Sequence, residues 1–108
     1  MRDVEGVHAG SGNVFADLGL PDADERYAKA MISRVIAREL DARAMTQADA
    51  AKLLGTTQPK VSAVVRGQLA GFSMERLFRF LTAHGMDVGV EVSPSPPDTP
   101  GRLRVIAR

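Results

Sequence analysis

The chain has 108 residues, 44% hydrophobic and 25% charged, with a formal net charge of +1, a size that suits one domain around one modest core. It has no cysteine, which excludes a disulfide framework, a thiolate nucleophile and a cysteine zinc site. No apolar run opens the chain as a signal peptide would, and none approaches the roughly 18 residues of a membrane span, so a soluble cytoplasmic protein without membrane contact is expected.

Residues 1–12 are polar and glycine-rich and are expected to form a mobile N-terminal segment. Asn13 is placed to cap a single turn over Val14 to Leu18, stopped by Gly19, with Phe15 and Leu18 as a small apolar tab over the core. Pro21-Asp22 opens the longest helix, and Asp22 with Glu25 has capping-box spacing. Tyr27, Met31, Ile32, Val35, Ile36 and Leu40 recur at spacings of three and four and mark its apolar face. The helix is expected to reach Arg43, roughly 30 Å at 1.5 Å per residue. Its other face carries Arg26, Lys29, Arg34, Arg38 and Glu39, read as a solvated surface.

Thr46 caps a short helix, Gln47 to Leu54, and Thr57 caps another, Gln58 to Arg66, closed by Gly67. After a loop over Gln68 to Phe72, Ser73 caps a helix from Met74 to His84, with Leu77, Phe78, Phe80 and Leu81 apolar and Gly85 at its end. The period then changes from 3.6 to 2. Met86, Val88, Val90 and Val92 alternate with Asp87, Gly89 and Glu91, the pattern of a half-buried strand. Ser93 to Gly101 is a stiff, proline-rich linker, and Arg102 to Ile106 is a candidate for a second short strand.

The expectation is a mainly α fold of about five helices plus a C-terminal β-strand, with residues 13–92 as the domain and 93–108 as linker and tail. Within it, Thr46 to Gly67 has the layout of a helix-turn-helix: small residues Ala50 and Ala51 where two helices cross, Gly55 at the turn, and Val61, Val64 and Val65 on the inner side of the second helix. The charge distribution agrees. Residues 43–80 hold 6 Lys/Arg against 2 Asp/Glu, whereas residues 1–42 hold 5 against 8. No Asp or Glu occurs from Ala50 to Met74, as a phosphate-facing surface requires.

Thr46 to Gly67 resembles the helix-turn-helix of the phage-repressor-like XRE (Cro/C1-repressor-like) family, through Gln47, Ala51, Gly55, Thr57-Gln58, Val61, Val64 and Arg66-Gly67. The wider chain, with GNVFADLGLPDA, FSMERLFRFLTAHG and GMDVGVEV, resembles the HigA-type antitoxins. That resemblance implies a homodimeric transcriptional repressor that binds double-stranded operator DNA, regulates its own operon and neutralises a RelE/HigB-like mRNA-cleaving toxin. It also implies that the start of the second helix reads bases, which falls on Gln58, Pro59, Ser62 and Ala63. A glutamine amide can bond adenine N6 and N7 together, worth roughly 1–3 kcal/mol of discrimination. Pro59 departs from the polar residue common at that position, and with Ala63 it offers only apolar contact, so DNA shape is expected to add specificity. Gln47, Thr57, Lys60 and Arg66 suit phosphate contacts, with Arg43 and Lys52 as weaker candidates.

One reading helix buries little DNA, so two copies are expected. The strand over Met86 to Val92 pairs either with Arg102 to Ile106 or with its counterpart in a second copy; the second copy is expected, together with the apolar face of the preceding helix. The alternatives are a free-standing XRE-type regulator without a toxin, and a protein-interaction adaptor that keeps the fold without reading DNA. An enzyme is not expected, nor a cofactor or metal. The chain has two histidines, His8 and His84, and no GxxxxGK[ST] phosphate loop. Asp22, Asp24 and Glu25 read as cap residues, and His84 as a partner of its own helix C-terminus.

Overall fold

Residues 23–108 are the described part of the computed structural model, and they hold four helices: α1 (Ala23–Ala42), α2 (Gln47–Leu54), α3 (Gln58–Val65) and α4 (Met74–Ala83). The expected mobile start, the Asn13-capped turn bearing Phe15 and Leu18, and the Pro21-Asp22 opening of the long helix lie outside the described residues. The mainly helical architecture is present, with four helices among the described residues; the remaining expected helical turn lies outside them. The chain divides into two compact units. One is Ile32–Val88; the other takes in, of the described residues, 23–31 and 89–108.

α1 forms because 20 residues pass without a breaker and open with Asp24 and Glu25 in the first turn, where carboxylates suit the positive end of the helix dipole. Ala28, Ile32, Val35, Ile36 and Leu40 are buried, one apolar stripe at helical spacing. Outside the stripe, Glu25 pairs with Lys29 at 3.3 Å and Glu39 with Arg43 at 3.7 Å, both with the acid on the N-terminal side. The helix closes through Ala44 at φ 52, and Met45 N–H donates to the Leu40 carbonyl at 2.9 Å. A Cβ in that left-handed conformation costs about 1–2 kcal/mol.

In the Ile32–Val88 unit the buried apolar residues are Ile32, Val35, Ile36, Leu40, Ala50, Ala51, Val61, Val64, Phe72, Leu77, Phe80 and Leu81, so all four helices contribute to it. Ala50 is wholly buried, which leaves no room for a larger side chain where α2 meets its neighbours. The buried hydroxyl of Ser33 on α1 donates to the carbonyl of Val64 in the last turn of α3, tying the two helices together by a polar bond as well as by packing.

The strand expected over Met86 to Val92 is absent among the described residues: the chain from Met86 onward has no regular secondary structure. Met86 and Val88 are half-buried, while Val90 and Val92 are 77% and 87% exposed. A strand needs a ladder partner, and the other candidate, Arg102 to Ile106, is occupied differently. In the unit holding residues 23–31 and 89–108, Arg102 Nε and Nη2 donate to Asp24 Oδ2 and Oδ1, both at 2.9 Å, and the Leu103 N–H donates to Asp24 Oδ2 at 3.2 Å. The Asp24 hydrogen bond raises the Arg102 pKa from its ordinary value, and desolvation offsets part of that. Asp24 therefore anchors the tail, a role beyond that of a helix-end carboxylate. The linker folds over a turn in which Asp98 sits at φ 60 and Thr99 N–H donates to the Pro96 carbonyl at 3.1 Å.

Candidate nucleic-acid interface

α2 and α3 take their positions from their ends. The Thr46 hydroxyl accepts from the Asp49 N–H at 3.0 Å and so caps α2. At the other end Gly55 lies at φ 66 and ψ 37, and Thr56 N–H reaches back to the Ala51 carbonyl at 2.9 Å. That left-handed residue turns the chain within three positions from the end of α2 into Gln58, the first residue of α3, at little cost to glycine. α3 closes in the same way: Gly67 at φ 77 is followed by Gln68, whose N–H donates to the Ala63 carbonyl at 2.9 Å.

Thr57 is the N-cap of α3 in extended backbone, yet its side chain makes no capping bond. Pro59 stands in the first turn, where its missing N–H would have been an orphan in any case. Thr46→Ala is accordingly expected to cost about 1 kcal/mol of stability, whereas Thr57→Ala should change it by no more than about 0.5 kcal/mol. Urea denaturation of the two variants checks this; equal losses would show that Thr57 does cap α3.

α3 turns Val61 and Val64 fully into the core and leaves Gln58, Pro59, Lys60 and Arg66 exposed, with Ser62 and Ala63 half-buried. At 100° per residue, Pro59, Ser62, Ala63 and Arg66 lie opposite the buried valines, and Gln58 and Lys60 flank them on either side. All four base-reading candidates and two of the phosphate candidates thus share one outward surface. Thr57 precedes it, exposed, and Gln47 is half-buried at the start of α2. The Arg66 Nη2 donates to Gln68 Oε1 at 3.2 Å. Among the described residues no carboxylate pairs with Lys52, Lys60 or Arg66.

The structure gives Arg43 and His84 partners that the sequence did not indicate. Arg43 is bound elsewhere: besides its contact with Glu39, its Nη2 donates to the His84 carbonyl at 2.7 Å. This bond places Arg43 at the C-terminal end of α4. His84, expected to serve that helix end with its ring, serves it with its backbone. Its N–H donates to the Phe80 and Leu81 carbonyls at 3.1 Å, while the imidazole is buried with both ring nitrogens unpaired.

One contact onto the turn of the motif escaped the sequence reading. Arg76, in the first turn of α4, holds its guanidinium 5.3 Å from the centre of the Phe72 ring and 5.7 Å from that of Phe80. Its Nη2 lies 3.4 Å from the Thr56 hydroxyl, in the turn of the motif. Part of the signal was present, since Phe80 lies four residues after Arg76 on the same side of α4; Phe72 precedes the helix and reaches the guanidinium only through the course of the loop.

Two short helices joined by a glycine turn, the second turning a polar face outward, define a helix-turn-helix protein. A family model described as a helix-turn-helix domain matches residues 14–93. A solved structure of a protein provisionally named an XRE family transcriptional regulator is 38% identical, matches 82% of this chain and 100% of its own, and superposes with a TM-score of 0.75. No curated protein matches. The chain belongs to the XRE family of helix-turn-helix proteins, a family of DNA-binding transcriptional regulators.

Proposed function

We propose that this chain is a sequence-specific repressor that binds its own operator as a homodimer, and that it is the antitoxin of a RelE/HigB-like mRNA-cleaving toxin. The observation that carries the DNA reading is the outward surface of α3. It carries Gln58, Ser62 and Arg66 beside the small apolar Pro59 and Ala63, has no acidic residue and has exposed Lys60 on one flank, while the opposite side is locked into the core by Val61 and Val64. In this reading Gln58, Pro59, Ser62 and Ala63 meet base edges in the major groove, and Gln47, Thr57, Lys60 and Arg66 meet phosphates. An adaptor would have no reason to keep Ala50 to Met74 free of acids.

The dimer is supported by Val90 and Val92, large apolar residues left in water at alternating positions by a segment with no ladder partner. A second copy in strand contact covers them and brings two reading helices to one operator. The antitoxin role is supported by the resemblance of the wider chain to HigA-type proteins.

The test is a single preparation of the chain purified from cells that also carry the neighbouring reading frames. A dimer is expected by sedimentation at micromolar concentration, along with a preferred duplex selected from a random-sequence pool. A small RNA-cleaving protein should co-purify, its activity masked. A monomer alone would remove the strand interface. Failure to select any sequence would remove base reading. Absence of the toxin would leave a free-standing regulator.

A further inference from the structure

We infer that Arg76 is a positioning residue for DNA recognition: it holds the turn of the helix-turn-helix against α4 and so sets the pose in which α3 presents its bases-facing surface. The inference rests on the DNA-reading function proposed above, to which it adds a residue outside the motif.

The geometry of Arg76 is over-determined. Its backbone N–H is taken by the Ser73 hydroxyl at 3.1 Å, which fixes the first turn of α4. Its guanidinium then lies within cation–π distance of both Phe72 and Phe80. Those two rings are themselves buried and packed edge to face, with centroids 6.1 Å apart and an interplanar angle of 66°. No carboxylate competes for the group among the described residues, since the adjacent Glu75 is held by Arg79 at 2.7 Å. A planar fork in an aromatic slot has few rotamers open to it. The one side-chain acceptor it reaches is Thr56, 20 residues away in sequence.

Thr56 stands between Gly55, the left-handed residue that ends α2, and Thr57, the N-cap of α3. The α3 side of that junction has no side-chain cap of its own. The Arg76–Thr56 bond is therefore the side-chain tie on the turn, at the end of α3 from which bases would be read. Ser33 holds the other end of the same helix through the Val64 carbonyl. Loosening the turn leaves the core valines in place but lets the N-terminal end of α3 shift, and base-edge hydrogen bonds tolerate little displacement.

The experiment compares wild-type full-length chain with Arg76→Met, Arg76→Lys and Thr56→Val. Two readouts are taken: amide hydrogen exchange in the free protein, and binding to a duplex selected by the wild type against a scrambled duplex across a salt series. Arg76→Met and Thr56→Val should each speed exchange at Thr56, Lys60 and Val61, whose amides are bonded to the Ala51 and Thr57 carbonyls around the turn, while leaving the amides in the middle of α1 unchanged. Each should weaken binding to the selected duplex about tenfold, on the scale of one lost base contact. The scrambled duplex and the salt slope should not change. Arg76→Lys keeps the charge but not the fork, and should lose specific binding as Arg76→Met does. The double variant should be no worse than either single.

Equal loss on both duplexes, with a salt slope smaller by about one, would make Arg76 a phosphate contact and overturn the inference. A uniform rise in exchange across the helices would make it a stability residue and overturn it equally. If the wild type selects no duplex, base reading fails, and the exchange pattern alone still decides whether Arg76 holds the turn.

Discussion

Leu77→Ala is expected to remove about 2–5 kcal/mol of folding free energy, a loss set by the lost transfer energy and the cavity left behind. Leu77 is wholly buried on α4, in the same core that receives Val61 and Val64 from α3. A domain of this size has of the order of 5–15 kcal/mol in total, so one such truncation consumes a large share of it. Leu53 is the control. It lies on α2 but is 42% exposed, and Leu53→Ala should stay within about 1 kcal/mol. Urea titration of both variants by circular dichroism, with the slope m held common, checks the contrast. A Leu77→Ala loss below about 1 kcal/mol would mean that α4 is not seated on the core as described.

The second large effect separates two kinds of contact on one helix. If Gln58 reads a base, Gln58→Ala weakens binding to the preferred duplex by about 1–3 kcal/mol, or roughly 5- to 150-fold. Binding to scrambled DNA should hardly move, because the lost bonds carry sequence information and little else. Lys60 lies on the other flank of the same surface, exposed and without a carboxylate partner among the described residues. Lys60→Ala should weaken every duplex by the same factor and reduce the slope of log K against log salt by about one. Gel-shift titrations at three salt concentrations distinguish the two patterns. An unchanged affinity for Lys60→Ala would count against a groove-facing α3, whatever Gln58→Ala does.

These expectations draw on different parts of the chain, and the parts were not equally legible beforehand. Most ends of the helices were, the exception being Thr57, which stands at the N-cap of α3 without a capping bond. Thr46 and Ser73 cap as their spacing indicated, with hydroxyls accepting from amides three residues on, and Gly55, Gly67 and Gly85 all take positive φ where the helical pattern stops. Of the expected apolar face of α1, Ile32, Val35, Ile36 and Leu40 are buried, while Tyr27 and Met31 are half-buried and Ala28 is buried in addition. The outward surface of α3 followed from the valines, since Val61 and Val64 can face only the core and the remaining positions must face away.

The strand over Met86 to Val92 shows where that kind of reading stops. Alternating valines specify which residues share a face, but a ladder requires a second backbone at hydrogen-bonding distance, and the described chain supplies none. Arg102 to Ile106, the candidate for a second short strand, has no regular secondary structure, and its first residue is held by the two carboxylate oxygens of Asp24.

By itself, then, the amino-acid order determined what depends on neighbours within about one helical turn: caps, left-handed glycine stops, apolar stripes and the identity of the outward surface. The tertiary fold alone decided which polar groups meet. Ser33 finds Val64 across 31 residues, Arg43 finds the His84 carbonyl across 41, Arg76 finds Thr56 across 20, and Arg102 finds Asp24 across 78. Each of these bonds exists only after the intervening chain has folded back and brought two distant segments together. No local propensity specifies such a meeting, and among these bonds is the one that ties Arg76 to the turn before α3.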